Sequence, residues 1–264
     1  MSTDRSRAPG TAGGAPEEAP EEATEEATEW DGAEYDRIAD PQARWGRIVL
    51  DRLALGGDET VLDAGCGSGR VTEALAERLP GGRVVALDAS ASMLAHAERR
   101  LAAHGTRIRY VRADLLALEP RLLGDDAPVD AVLSTATFHW VTDHDRLFAA
   151  LARVMRPGAQ LVAQCGGEGT IDNVIRAVRS LGVERAGTWL YATAEATAGR
   201  LARAGFADIR TWTHDEPTPF EPGAPLVDFL ETVCLREHLA TLPEPERRPF
   251  ASRVAAAMGE PVLD

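Results

Sequence analysis

Hydrophobic positions along the chain fall into two alternating patterns: short continuous runs and longer stretches with helical spacing. In the stretches, apolar residues recur every three or four positions, as at Val71, Leu75 and Leu79. The continuous runs have the length of strands and cover 60–63, 83–87, 108–111, 129–134 and 160–164. Strands that alternate with helices are typical of βαβ units. The pattern therefore predicts an α/β fold with a doubly wound, mainly parallel sheet and helices on both faces.

After residue 165 the hydrophobic pattern becomes mainly helical. Amphipathic stripes predict extra C-terminal helices over 171–181, from Thr193 to Gly205, from Pro225 onward and over 244–258. One further strand is predicted near Phe206 to Thr213. The helix over 171–181 is a candidate wall of the acceptor pocket, and its apolar stripe is expected to pack mostly into the core in either case.

The first 29 residues differ in composition from the rest of the chain. They contain no large apolar residue after Met1, and glutamates crowd the run from Ala15 to Glu29. Such a segment is predicted to be disordered, with an acidic docking tail as the alternative. The folded domain is then expected to span 30–264, with a core at 42–165 and helical additions at 170–205 and 224–258.

Charge and cysteine content narrow the class of protein. The formal net charge of −14 disfavours nucleic acid as a partner, because phosphate backbones would be repelled. No run of about 18 apolar residues is present, which predicts no membrane-spanning helix. Three widely spaced cysteines indicate neither a disulfide framework nor a zinc site, and they suit a cytoplasmic protein.

The turn after the first predicted strand contains the most specific chemistry. Asp63 precedes a glycine-rich bend at 64–69, and Asp88 and Asp114 end the next two strands. Parallel sheets bind ligands at the carboxyl ends of their strands, where a carboxylate can accept both hydroxyls of a ribose. The spacing is G-x-G-x-G rather than the G-x-G-x-x-G of dinucleotide sites. An acid beside the bend would repel a pyrophosphate and attract an amino group, which favours an adenosyl amino acid over NAD.

These residues resemble the motifs of the class I S-adenosylmethionine (SAM)-dependent methyltransferase family. The segment 61–69 is similar to the first motif, and 84–88, 111–115 and 129–134 are similar to the next three. Phe138 to Val141 resembles the trans-aconitate methyltransferase-like branch. The resemblance implies a Rossmann-like fold and an enzyme that uses SAM as its cofactor. It also implies an antiparallel pair of strands six and seven, yet no clear seventh strand follows the last predicted helix. The seventh strand is either missing or lies elsewhere, with the segment after His214 as the candidate.

The resemblance also implies the SAM-binding residues. It assigns the methionine part of SAM to Asp63, Gly65, Cys66, Gly67 and Gly69, and the ribose to Asp88. It assigns the adenine to Ala89, Met93, Asp114 and Leu115, and the surroundings of the sulfonium to Ser134 and Ala136.

The acceptor side of the site is predicted less directly. His139 follows the fourth strand and is the candidate general base, with a packed histidine as the alternative. Trp140 and Tyr35 are candidate substrate contacts, and Trp45 belongs either to a lid or to ordinary packing. The spacing of His139, Asp143 and His144 matches no metal-ligand motif, so no metal is predicted.

The sequence therefore predicts a SAM-dependent methyltransferase that acts on a small-molecule acceptor, a carboxylate or a hydroxyl. An NAD-dependent oxidoreductase and a non-catalytic SAM-binding module are the alternatives, and a protein acceptor is a third. A carboxylate acceptor needs no base, whereas a hydroxyl or amine would benefit from one.

Overall fold

The computed structural model describes residues 40–184, 187–221 and 223–264. The predictions for the acidic tail at 1–29 and for Tyr35 lie outside these residues.

Five parallel strands form the main sheet, which confirms the predicted fold class. Their order in the sheet is β3-β2-β1-β4-β5, so that the chain winds in one direction from β1 to β3 and then returns to the other side of β1. The strands are β1 (Thr60–Ala64), β2 (Arg83–Asp88), β3 (Ile108–Arg112), β4 (Val129–Thr135) and β5 (Met155–Gln164). Winding reverses between β1 and β4, and in such sheets the crevice at this point is the expected ligand site.

Helices cover both faces of the sheet because neighbouring strand residues point to opposite sides. Val61 and Leu62 are both fully buried, but they belong to two different hydrophobic clusters. The first cluster includes residues of three helices, α1 (Asp40–Leu50), α2 (Arg70–Glu77) and α3 (Ala91–Leu101). The second includes residues of the short α4 (Pro120–Leu123) and of α5 (His144–Val154). The core is therefore built from two layers that sandwich the sheet.

The C-terminal part adds a helical layer with its own core. Val174, Leu230 and Phe250 belong to this third hydrophobic cluster. A π-helical turn at Leu230–Cys234 continues α8. The helices are α6 (Asp172–Ser180), α7 (Ala194–Arg203), α8 (Ala224–Phe229), α9 (Arg236–Ala240) and α10 (Glu244–Met258). In the part of the chain that the structure describes, none of the helices has the length and apolarity needed to cross a bilayer.

The predicted strand near Phe206 to Thr213 is wrong. The segment is irregular, because Asp208 takes a left-handed backbone conformation with φ of 52° and interrupts the extended run. Trp212 is 55% exposed, so the alternating pattern did not mark a buried sheet face.

A short strand does follow the last helix, contrary to the expectation from the sequence. β6 (Thr218–Pro219) pairs antiparallel with β7 (Val262–Leu263), and the two form a separate sheet. The side chains of Thr218 and Leu263 are both buried. Two residues per strand are too few for the alternation that identifies strands in a sequence.

Candidate functional site

The turn after β1 is held against the end of β2 by backbone hydrogen bonds. The amides of Gly65 and Cys66 both donate to the carbonyl of Leu87, at 2.8 and 2.9 Å. Gly65 and Gly67 have positive φ values of 83° and 54°, which glycine adopts at little cost. A Cβ added to Gly67 would meet nothing within 4 Å, so the turn is open at this point. The turn therefore leaves space in which a ligand can approach the main chain.

Asp88 lies at the end of β2 and faces this turn. One carboxylate oxygen accepts from the amide of Gly67 and the other from the amide of Ser90, both at 2.9 Å. A carboxylate at the end of the second strand can accept the hydroxyls of a ribose. Asp88 lies beside the open turn, and its contact with a ribose stays a prediction.

Asp63 is 1% exposed and lies beneath the same turn. One carboxylate oxygen accepts from the hydroxyl of Thr72 at 2.7 Å, and the other has no partner among the described residues. Burial raises the pKa of Asp63 to about 7; the Thr72 bond opposes this and the charge of Asp88 adds to it. A buried carboxylate without a counter-charge is costly, and a cation such as an amino group would relieve that cost. The site therefore fits the amino-acid part of SAM.

Cys66 occupies the same turn and is packed rather than reactive. Its side chain is buried, with the sulfur 3.7 Å from the carbonyl oxygen of Gly67. Burial raises the pKa of the Cys66 thiol well above its ordinary value, and the charges of Asp88 and Asp63 raise it further. The thiolate needed for nucleophilic attack is therefore disfavoured near neutral pH.

The residues predicted to lie along adenine follow the ends of β2 and β3. Met93 and Leu115 are buried, and the carbonyl of Ala89 accepts from the Arg112 side chain at 3.2 Å. Asp114 is exposed and accepts from the amide of Leu116 at 2.8 Å. The structure places these side chains at one edge of the sheet, and their contact with adenine stays a prediction.

At the end of β4, two hydroxyls connect the strand to the glycine turn. Ser134 is fully buried and donates to the carbonyl of Ala64 at 2.7 Å, so its hydroxyl links β4 to the end of β1. Thr137 lies with its hydroxyl 3.2 Å from the carbonyl oxygen of Gly65 and 2.9 Å from that of Thr135. Sequence reasoning missed Thr137, since no motif or periodicity marks it. This contact joins the cofactor side of the site to the segment that follows β4.

That segment, a 3-10 turn at Phe138–Trp140, begins an aromatic cluster. The His139 ring stacks on Tyr191 with centroids 5.7 Å apart, and Trp189 stacks on Tyr191 at 5.9 Å. Trp140 meets Trp189 edge to face at 6.3 Å. The amide of Leu190 donates to the carbonyl of His139 at 2.9 Å, which fixes the two segments together. Sequence reasoning missed Trp189 and Tyr191, because they lie about 50 residues after His139 and between the two helices predicted within 170–205.

His139 is held at one ring nitrogen. The amide of Gly166 donates to Nδ1 at 3.2 Å, so the neutral ring carries its proton on Nε2. Burial lowers the pKa of His139 to about 3, and the neighbouring His144 lowers it further. His139 is therefore neutral across the physiological range.

The polar residues just after His139 have structural partners. Asp143 accepts from the amide of Arg146 at 2.9 Å and caps α5. His144 is buried, and its Nε2 lies 2.8 Å from the carbonyl oxygen of Phe138. Asp145 forms an ion pair with Arg203 at 2.5 Å. Each of the three side chains therefore has a protein partner, although Nδ1 of His144 is buried without one among the described residues.

A broad cavity of about 1730 Å³ opens beside the aromatic cluster. Its lining includes Trp45, His139, Trp140, Tyr191 and Arg210. The cavity extends from the segment after β4 along the whole of β5, from Met155 to Gln164, and the residues of the glycine turn are not part of its lining. At the end of β4 it offers room for an acceptor beside Ala136 and His139.

Comparisons with known proteins agree with this geometry. Residues 61–158 match a family model described as "Methyltransferase domain". A trans-aconitate 2-methyltransferase from Azoarcus sp. (strain BH72) is 31% identical over 239 residues, which cover 87% of this chain and 89% of that protein. A second, from Paracidovorax citrulli, is 30% identical over 233 residues and covers 84% of this chain and 86% of its own length.

Solved structures show the same fold at lower identity. The cyclopropane synthase MmaA2 from Mycobacterium tuberculosis has a TM-score of 0.54 and 20% identity, covering 88% of this chain and 83% of that chain. Phosphoethanolamine N-methyltransferase 2 from Haemonchus contortus, solved with SAM, has the same TM-score and identity and covers 88% of this chain and 54% of that chain.

Proposed function

Because the chain belongs to the class I SAM-dependent methyltransferase family, we propose that this enzyme methylates one carboxylate of a small polycarboxylic acid to give a methyl ester. The observation that carries the proposal is the protonation and hydrogen bonding of His139, the titratable side chain of the aromatic cluster nearest the end of β4. Its ring is neutral, and Nδ1 is occupied by the amide of Gly166. A carboxylate acceptor suits such a site, because it is already deprotonated near pH 7.

The residues of the chain divide the work between two sides of the site. On the cofactor side, Asp88 is placed for ribose and Asp63 for the amino group. When bound, SAM supplies a methyl group on a sulfonium, which a carboxylate oxygen accepts as the carbon–sulfur bond breaks and no proton moves. The aromatic cluster then excludes water and holds the acceptor in line, which is where rate enhancement arises in such a displacement.

Two arginines that line the same cavity are candidates to bind the remaining carboxylates. Arg210 lines it and forms no ion pair with the residues that the structure describes. Arg52 also lines the cavity, with its guanidinium 4.9 Å from the ring of Trp212. The relatives named trans-aconitate 2-methyltransferase point to a tricarboxylic acid as the first acceptor to test.

We also infer the cellular compartment of the protein. The three cysteines are free thiols, and two of them are buried. Together with the net charge of −14, this supports a protein of the reducing cytoplasm that does not act on nucleic acid.

The proposal is tested by identifying the methylated product. Purified enzyme is incubated with SAM and, separately, with trans-aconitate, a simple alcohol and a primary amine. We expect S-adenosylhomocysteine to form only with the carboxylic acid, and the product to be an ester that alkali hydrolyses. The Asp88→Ala variant serves as the inactive control. Turnover with the amine or the alcohol alone, or a methylated product that resists alkali, would contradict a carboxylate acceptor.

A further inference from the structure

We propose that His139 is a hydrogen-bond donor that orients the acceptor carboxylate through its Nε2–H group, and that it does not act as a base. This inference rests on the proposed function, because a donor in this position suits a carboxylate and would not activate a hydroxyl or an amine. It replaces the general-base role that the sequence suggests for the same residue.

The first support is the fixed tautomer of the ring. The amide of Gly166 donates to Nδ1 at 3.2 Å, which occupies the lone pair of that nitrogen. In a neutral imidazole the other nitrogen then carries the proton and has no lone pair to offer. The ring therefore cannot take a proton without first losing the Gly166 contact.

The second support is that packing holds the ring and its donor in place. Tyr191 stacks on the His139 ring with an interplanar angle of 29°. The same Tyr191 lies against Gly166, where an added Cβ would be 2.6 Å from its ring. One aromatic side chain thus packs against both partners of the hydrogen bond, which makes an alternative ring orientation costly.

The third support is the electrostatic setting. The titratable groups around the ring are His144, Cys165 and Tyr191. Burial lowers the pKa of His144 and raises that of Cys165 to about 11, and it also raises the pKa of Tyr191. All three are therefore neutral near pH 7. Across the described residues no carboxylate bonds to the His139 ring, so the orienting acid found beside histidine bases is missing.

The fourth support is the position of His139 in the chain, close to the segment that contacts the cofactor turn. His139 follows β4 two residues after Thr137, whose hydroxyl contacts Gly65 of the cofactor turn. The ring lines the cavity, and Nε2 makes no hydrogen bond to the described residues. A donor there can hold one carboxylate oxygen and leave the other aimed at the methyl group, which favours a productive geometry.

The test compares two replacements of His139 with a matched control. His139→Gln keeps an N–H donor near the Nε2 position, and His139→Phe keeps a ring without a donor. His96→Phe replaces a histidine of α3 outside the cavity. The kcat/KM for the carboxylic acid is measured at saturating SAM, whose amino group then favours the ionised form of Asp63 throughout the titration. The range is about pH 5.5 to about pH 8, in which carboxylic acids are ionised. SAM affinity is measured in parallel.

We expect the wild-type kcat/KM to stay level across this range. His139→Phe should lose about 10- to 100-fold in kcat/KM, the worth of one hydrogen bond to a charged group. His139→Gln should recover most of that loss, while SAM affinity and the His96→Phe variant stay unchanged. Rescue by glutamine separates a donor role from a merely structural one.

Two results would overturn the inference. One is the behaviour of a base: the wild-type kcat/KM falls about tenfold per pH unit below about pH 6.5, and His139→Gln loses as much activity as His139→Phe. The other is His139→Phe with full activity. If the wild-type enzyme forms no ester from any carboxylic acid, the proposed function fails instead. The ¹⁵N NMR spectrum of the His139 ring tests the donor assignment separately, since a proton on Nδ1 would refute an Nε2–H donor whatever the acceptor is.

Discussion

Replacing Asp88 with alanine is expected to weaken SAM binding by at least about 100-fold. The proposed role of the Asp88 carboxylate is to accept two ribose hydroxyls, and each hydrogen bond to a charged group contributes roughly 1.5–3 kcal/mol. The same carboxylate accepts from the amides of Gly67 and Ser90, so its loss also frees the glycine turn that receives the cofactor. Isothermal titration with SAM measures the loss directly.

Asp125→Ala provides the matched control for this variant. Asp125 is an exposed carboxylate in the turn that precedes β4, at the opposite edge of the sheet. Its removal changes the net charge by the same amount and should leave SAM binding unchanged. If Asp88→Ala keeps the wild-type circular dichroism spectrum and binds SAM with wild-type affinity, the ribose role of Asp88 is wrong.

Replacing Gly65 with alanine is expected to lower the free energy of unfolding by about 3 kcal/mol and to abolish SAM binding. Two costs add at this position. The φ of 83° is unfavourable for any residue with a Cβ, and the new methyl would lie 2.3 Å from the side chain of Thr137. The strand end, the turn and the segment after β4 would then have to move apart. Urea unfolding and SAM titration measure the two effects.

Gly67→Ala separates these two costs. Its φ of 54° is also left-handed, but an added Cβ would meet nothing within 4 Å. We expect it to cost only about 1 kcal/mol of stability, the penalty of the backbone conformation alone. Its methyl would project into the open turn and should still weaken SAM binding. Equal stability of the Gly65→Ala and Gly67→Ala variants would show that the Thr137 contact is unimportant.

Local sequence signals were sufficient for the sheet and for the placement of the candidate cofactor residues at one edge of it. A strand, a glycine turn and a helix are encoded within about 20 consecutive residues, so spacing alone places Asp63 and Gly65 together. The distance from Gly69 to Asp88 spans one helix and one strand, which brings the second carboxylate to the same edge. Because the carboxyl ends of parallel strands lie at one edge of the sheet, the topology then brings these residues together.

The acceptor side was not predictable to the same degree, because its contacts join distant parts of the chain. Tyr191 reaches His139 from 52 residues further along, and the stacking depends on how the whole helical layer packs. The proposed role of His139 depends on one backbone amide, that of Gly166, which no side-chain pattern encodes. The strand near Phe206 was mispredicted for a related reason, since the backbone conformation of Asp208 is a local choice that periodicity does not register.

The central claim is that one edge of the sheet holds a positively charged adenosyl amino acid between Asp63, the glycine turn and Asp88. The most direct test is calorimetric titration of the wild-type protein with SAM, S-adenosylhomocysteine and NAD. The account predicts saturable binding of SAM and of S-adenosylhomocysteine at one site and no heat of binding with NAD. Binding of NAD without either adenosyl amino acid would contradict it.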